Sequence, residues 1–299
     1  MKILITGGTG FLGSTLCQSL LIQGHEVSVL SRHCNSVTSI CGSTVKAIAN
    51  FDQLTAKDDW QAIINLAGAP IFDAQWSTAR KQLIRSSRID FTNELVKYLS
   101  SMNTPPEVLI SGSAIGYYGN QGDNILTEQS NIRTDFSQQL CSDWEQAAMQ
   151  AENIGVRVCL IRTGLVLGHG GGLLQRMLVP FRLGFGGRLG NGKQWMSWIH
   201  RQDWLAMVEI MLNDKTMRGA YNATAPNPVT NEEFTKTLAD CLKRPALLPL
   251  PGWLLNKILS ERAELILGSQ RVLPERLLAH GYQFLYPDLI SALNEVLSH

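Results

Sequence analysis

The chain opens on a short apolar run, Lys2–Thr6 (KILIT), rich in β-branched residues and ended by Gly7-Gly8. A run this short, closed by glycine, reads as a buried parallel strand. From Phe11 to Gln23 the apolar residues Phe11, Leu12, Leu16, Leu20 and Leu21 fall near helical spacing, and Gly24 stops them. The alternation then repeats. Glu26–Leu30 (EVSVL) reads as a second strand, and residues 59–68 contain a third that ends in small residues. Glu107–Ser111 (EVLIS) and Val156–Arg162 (VRVCLIR) supply two more. Between them, Trp76–Ser101 reads as one long amphipathic helix before the break at Pro105-Pro106, and Phe136–Ile154 as another. Strands alternating with helices imply βαβ units and an α/β, doubly wound parallel sheet. Right-handed crossovers put the carboxyl ends of the strands along one edge, where ligands bind.

The second half is less regular. Residues 168–172 (GHGGG) and 184–192 (GFGGRLGNG) read as glycine-rich turns or lids. A helix follows Thr230 or Asn231, with Glu232 and Glu233 in its first turn. Leu247–Gly252 is broken by prolines and begins a small terminal unit with helical stretches at 253–259, 274–279 and 289–297. The expected organisation is a nucleotide-binding domain at 1–168 and a smaller, mainly helical C-terminal lobe at 169–299. Part of 195–225 should return to the sheet, and the terminal unit lies at about 247–297.

The first turn carries the sharpest signal. Gly7, Gly8, Thr9, Gly10, Phe11, Leu12 and Gly13 sit between a strand and a helix and satisfy G-x-G-x-x-G at Gly8, Gly10 and Gly13. One glycine allows the tight turn, one lets the backbone approach a pyrophosphate, and one permits close helix–strand packing. The helix N-terminus faces the anion. An NAD site wants a carboxylate about 20 residues further on, to hold the ribose 2′-hydroxyl. Here the second strand ends in Ser31-Arg32-His33. A guanidinium forks onto a phosphate, so the expected cofactor is NADP.

Composition narrows the partners. Hydrophobic residues make up 44% of 299 residues, enough to bury a core, and the net charge of +1 lacks the excess that phosphate backbones require. Neither nucleic acid nor a membrane is an expected partner; a small-molecule substrate is, and oligomeric state is open. The six cysteines form no CxxC pair, and the six histidines, His299 among them, show no HxxxH or HExxH spacing. No metal site is therefore expected, and free thiols point to a reducing compartment. The glycine motif begins so early that a signal peptide has no room, so the expected location is cytoplasmic.

Several longer motifs carry a family resemblance: TGGTGFLG (6–13), SR (31–32), INLAG (64–68), SGSAIGYYG (111–119), CSDWE (141–145), LIRTGLVLG (160–168), PFRLGFGGRLGNGKQWMSWIH (180–200) and LGSQRVLPERLLAHGYQF (267–284). With these the chain resembles the extended short-chain dehydrogenase/reductases, and within them the atypical "epimerase family" branch with its own small C-terminal domain. The resemblance implies a Rossmann-type NADP-binding domain and a smaller substrate lobe. It also implies that Leu66, Ala67 and Gly68 pass close to the cofactor and that Ser111, Arg162, Thr163 and Gly164 lie at its nicotinamide end. Arg88 is either a phosphate ligand or one half of a surface salt bridge.

The chemistry departs from the superfamily. Its catalytic Tyr-x-x-x-Lys pair puts a phenol and an ammonium on one helix face. None of the six tyrosines here has a lysine four residues later, and the corresponding positions fall near Ser137 and Cys141. The remaining catalytic candidates are Ser113, Tyr117 and Tyr118, with Glu128 and Cys141 as further contacts. Trp195, Trp198 and His200 are candidates to line the substrate pocket, beside Lys193, Gln194, Arg182 and Arg188. Two functions stay open: an NADP-dependent oxidoreductase or nucleotide-sugar-epimerase-like enzyme with a non-standard proton donor, acting on a small polar substrate, and a non-catalytic NADP(H)-binding redox-sensing or regulatory module.

Overall fold

The computed structural model describes residues 1–298, so His299 lies outside the described residues. In chain order the first half runs β1 (Lys2–Thr6), α1 (Phe11–Ile22), β2 (Glu26–Leu30), α2 (Cys34–Cys41), β3 (Lys46–Ile48), β4 (Ala62–Asn65), α3 (Thr78–Ser86), α4 (Ile89–Ser101), β5 (Val108–Ala114), β6 (Ile125–Leu126), α5 (Phe136–Met149) and β7 (Arg157–Thr163). The second half adds β8 (Leu165–Leu167), α6 (Gly172–Arg182), β9 (Trp195–Met196), β10 (Trp198–His200), α7 (Arg201–Asn213), β11 (Gly219–Ala223), β12 (Val229–Thr230), α8 (Asn231–Leu242), α9 (Gly252–Leu259), α10 (Glu264–Leu267), β13 (Arg271–Val272), α11 (Glu275–Ala279) and α12 (Leu289–Leu297).

Seven strands form one parallel sheet in the order β11-β7-β5-β4-β1-β2-β3. This is the Rossmann-type doubly wound arrangement, and the strand order reverses between β1 and β4. Ile3 and Ile5 point to one face of the sheet, against Leu16, Leu20, Trp204 and Met207. Leu4 points to the other, against Leu95, Leu99 and Ala148. Helices cover both faces, which is why β1 and β4 carry consecutive apolar residues, Ile3–Ile5 and Ala62–Ile64, instead of alternating. A separate core beyond the sheet joins α6, α8 and α12 through Leu174, Phe234, Leu238 and Leu293.

The structure departs from the sequence pattern at several points. The single helix expected over 76–101 is two, α3 and α4, because the Ser87 hydroxyl accepts the Ala69 N–H (2.9 Å) and turns the chain. Helices α2, α6 and α7 and strand β3 are additional elements. Near the carboxyl edge β6 pairs in parallel with β13, tying the terminal segment to the sheet domain. Among the described residues no helix is long and apolar enough to cross a membrane.

Candidate functional site

The glycine turn is built by contacts that admit no side chain. Gly7 has φ +70°, and its carbonyl accepts the Gly10 N–H (3.0 Å). A Cβ on Gly7 would lie 2.5 Å from the Leu66 carbonyl oxygen, and one on Gly13 would lie 2.3 Å from that of Gly7. The turn thus packs directly on the chain leaving β4, while the Thr6 hydroxyl donates to Asn65 (2.7 Å) and accepts from the Ala67 N–H (3.2 Å). Helix α1 begins at Gly10 with no side-chain cap and no acidic residue in its first turn. Its first N–H groups are left to an outside anion, with the dipole behind them.

Two guanidiniums stand near this edge without a carboxylate. Arg32 is exposed just past β2 and makes no ion pair; Ser31 beside it accepts the His33 N–H (3.2 Å). Arg88 is folded against the loop after β4. Its Cζ would lie 2.8 Å from a Cβ on Gly68, and Nη1 donates to the carbonyls of Ala69 (3.0 Å) and Ile84 (3.3 Å). Its guanidinium rests over the Trp144 ring, and burial lowers its pKa from the usual arginine value. The surface salt bridge left open for Arg88 is not formed. The Gly168–Gly172 turn closes over the start of α1, where a Cβ on Gly171 would meet the Phe11 ring.

Beyond the turn the carboxyl edge opens into a cavity of about 500 Å³. Thr163, Gly164 and Leu165 form one wall at the end of β7, and Ile115, Gly116, Ser137 and Cys141 another. Phe72 and α10 of the terminal segment also line it, with Trp195 and Met196. Ser137 and Cys141 therefore share one face of α5, both close to Gly116. Burial, reinforced by the Glu145 charge, pushes the Cys141 thiol up to about 12, so it stays protonated at neutral pH.

Most of the expected catalytic groups lie beneath this cavity. Ser113 is buried and donates to Glu145 (2.6 Å). Tyr118 is fully buried, donates to Asn222 (2.6 Å) and accepts from Arg162 (3.1 Å); burial, partly opposed by Arg162, pushes its phenol up to about 12. Arg162 forms a two-pronged pair with Glu145, and its Cζ lies 3.4 Å from the Tyr117 ring centre. Ser111 is fully buried against Asn65. Ser113, Glu145, Arg162, Tyr118 and Asn222 form one internal polar network, and Ser111 accepts from Asn65 in a second one. Arg162, Ser113 and Tyr118 are engaged with one another's partners and not with the cavity, and Ser111 is buried away from it.

The pocket candidates divide in the same way. Trp195 lines the cavity, its indole donating to Asp123 (2.9 Å) beneath the Arg271 guanidinium. Trp198, by contrast, is fully buried in the second core and donates to the Asn227 carbonyl (3.1 Å). His200 is also buried: Nε2 lies 2.8 Å from Glu295, and Nδ1 accepts the Gln202 N–H at the start of α7. Both are therefore core residues and not pocket-lining ones. Gln194 and Arg188 serve loop structure, through Leu189 and Glu232, and Glu128 clamps the Asn222 N–H (2.9 Å). The sequence reading did not assign Phe72, Asp135, Arg176, Met196, Glu264 or Gln270 to the cavity, yet all line it. Among the described residues no group of His, Cys, Asp or Glu side chains is arranged to hold a metal ion.

A doubly wound sheet, an uncapped helix at its first crossover and a cavity on the carboxyl edge define a Rossmann-type α/β protein with an anion seat. Residues 3–223 match the model of the NAD dependent epimerase/dehydratase family, and residues 250–296 match a domain of unknown function, DUF1731. The chain belongs to that epimerase/dehydratase family. It is 37% identical over 303 residues to the epimerase family protein YfhF of Bacillus subtilis, covering 100% of this chain and 98% of the relative. Among solved structures it is similar to the human epimerase family protein SDR39U1 crystallised with NADPH (33% identity, TM-score 0.91, all of both chains). It is also similar to a nucleoside-diphosphate sugar epimerase from Corynebacterium glutamicum (31% identity, TM-score 0.79), covering 99% of this chain and 58% of that one.

Proposed function

We propose that the protein binds NADP(H) and works as an oxidoreductase on a small-molecule substrate, with no Tyr-x-x-x-Lys pair. One observation carries this reading: the bare N-terminus of α1 and the unpaired Arg32 stand on the same sheet edge as the cavity. Gly7–Gly13 would hold the pyrophosphate, Ser31 and Arg32 the 2′-phosphate, and Leu66–Gly68 the adenosine side. Arg88, half-buried without a carboxylate partner, suits a further anionic oxygen of the cofactor. Thr163 and Gly164 would border the nicotinamide. The human relative solved with NADPH supports the choice of nucleotide.

When bound, NADPH supplies a hydride to a carbonyl carbon. The protein must then orient the carbonyl and supply a proton to its oxygen. Ser113 and Tyr118 are committed elsewhere, so we assign the oxygen to the Ser137 hydroxyl, which lines the cavity and is replenished from solvent. The protonated Cys141 thiol beside it is a weak donor and no base.

The burial of Ser113 and Tyr118 favours a second reading, an NADP(H)-binding module without turnover. Titration of NADPH by fluorescence, followed by absorbance at the reduced-nicotinamide band with pools of carbonyl compounds, separates the two. Substrate-dependent oxidation, lost in Ser137→Ala, is expected. Tight binding with no consumption across broad pools would establish the second reading, and no binding would end both.

A further inference from the structure

The cavity that would receive the substrate has a chemistry of its own, distinct from the glycine turn. Its surface is mainly apolar, with Ile71, Phe72, Ile115, Leu165, Trp195 and Met196 among the lining side chains. Its charged lining residues are three acids and one base: Asp73, Asp135 and Glu264 against Arg176. That base is not free, since Arg176 is ion-paired with Asp73 and stacked on Phe72. Asp135 accepts the Gln138 N–H at the start of α5, so its charge is fixed at the wall. Glu264 enters from α10, and burial together with the Asp135 charge raises its pKa from the ordinary glutamate value. Arg32 and Arg88 line no part of the cavity, and Arg271 and Arg262, which stack on Trp195 and Phe72 without an ion pair among the described residues, are not among its lining residues. With Asp73 and Arg176 neutralising each other, the remaining charged lining groups, Asp135 and Glu264, are acids.

We infer that the substrate is an uncharged, largely apolar carbonyl compound or the corresponding alcohol, and not a nucleotide-linked sugar. A nucleoside diphosphate brings two or more negative charges, which need Arg or Lys partners inside a cavity of low dielectric. This wall offers it only carboxylates and a base already spent. Aromatic and aliphatic walls instead reward the removal of apolar area from water. The inference rests on the proposed reading of the site as NADP(H)-dependent, and names its substrate class.

The test first titrates NADPH onto the full-length protein. It then titrates 2-naphthaldehyde or UDP-glucose onto free and NADPH-loaded protein, following tryptophan fluorescence and calorimetric heat. The aldehyde is expected to saturate with a Kd at least about tenfold below that of UDP-glucose. Ile115→Arg places a cation on the apolar wall and should weaken the aldehyde about tenfold or more, while strengthening UDP-glucose and leaving NADPH affinity within about twofold. Asp135→Asn combined with Glu264→Gln removes charge without loss of the helix cap, and should tighten UDP-glucose at least about fivefold. Tighter binding of UDP-glucose than of the aldehyde to the wild-type protein overturns the inference. So does an aldehyde that fails to saturate, or whose affinity ignores Ile115→Arg. Failure of NADPH to bind overturns the cofactor reading instead, and the free-protein titrations still decide the preference of the cavity.

Discussion

Arg162 and Glu145 meet side-on, with Nε and Nη2 each 2.8 Å from a carboxylate oxygen and both side chains less than one-tenth exposed. Burial alone would lower the arginine, but hydrogen bonding and charge from Glu145 outweigh it and hold the guanidinium above its ordinary value. The pair ties α5 to the end of β7 beneath the cavity, and Ser113 of β5 donates to the same carboxylate.

Removing one partner of such a pair strands the other. Glu145→Gln should therefore cost about 3–5 kcal/mol in urea unfolding. Glu145→Gln with Arg162→Met should recover part of that loss, since no charge is left buried. A single variant as stable as the wild type would show that the pair is not closed in solution. Ser113→Ala removes only one hydrogen bond to Glu145 and should cost about 1 kcal/mol, with NADPH affinity unchanged.

Arg32→Ala tests which nucleotide the second strand selects. A charged hydrogen-bonding group is worth about 1.5–3 kcal/mol, so NADPH should weaken roughly 10- to 100-fold. NADH, which lacks the 2′-phosphate, should change little. Parallel fluorescence titrations give the comparison, and equal losses for both nucleotides would remove Arg32 from the site.

Gly13→Ala tests the turn. Its methyl group would lie 2.3 Å from the Gly7 carbonyl oxygen and 2.8 Å from the Gly8 Cα, so backbone must move. Overpacking of this kind costs about 1–3 kcal/mol. NADPH affinity should fall by about an order of magnitude or more, because the shifted atoms belong to the anion seat itself. Unaltered affinity in a protein with lowered Tm would separate the turn from nucleotide binding.

His200 gives a pH dependence of definite sign. Burial lowers its pKa despite Glu295, and the Nδ1 and Nε2 hydrogen bonds suit the neutral ring. As pH falls through about 6.5 the unfolded chain takes up this proton while the folded chain does not, so stability declines on acidification. His25, also lowered by burial, adds to the same trend. Urea midpoints measured from about pH 7.5 to 5.5 should fall less steeply in His200→Gln than in the wild type; identical slopes would refute the assignment.

The parts of the architecture readable from sequence are those set by local pattern. Apolar β-branched runs closed by glycine gave the strands, and helical spacing gave α1 and α5, because neighbours in the chain suffice to define both. The α/β class was legible in this way, whereas the family rested on the resemblance of longer motifs and the NADP expectation on Ser31-Arg32. Helix α6 was not, since glycines precede it and Pro180 lies within it. The break between α3 and α4 depends on Ser87 meeting Ala69, 18 residues away. Trp198 and His200 looked like pocket residues because aromatic and imidazole rings serve that role. Their real partners, Asn227 and Glu295, are distant in the chain, and no spacing announces them. Tyr118 was misleading for the same reason: its partner Asn222 lies 104 residues away.

The pairing of β6 with β13, and the position of α10 at the cavity, make the final fifty residues a load on the rim instead of a tail. A chain cut ahead of Glu264 would lose one side of the chamber together with the core side chains Leu277, Leu289 and Leu293. The chamber is thereby walled by segments far apart in the chain, Phe72 in its first third and Glu264 near its end.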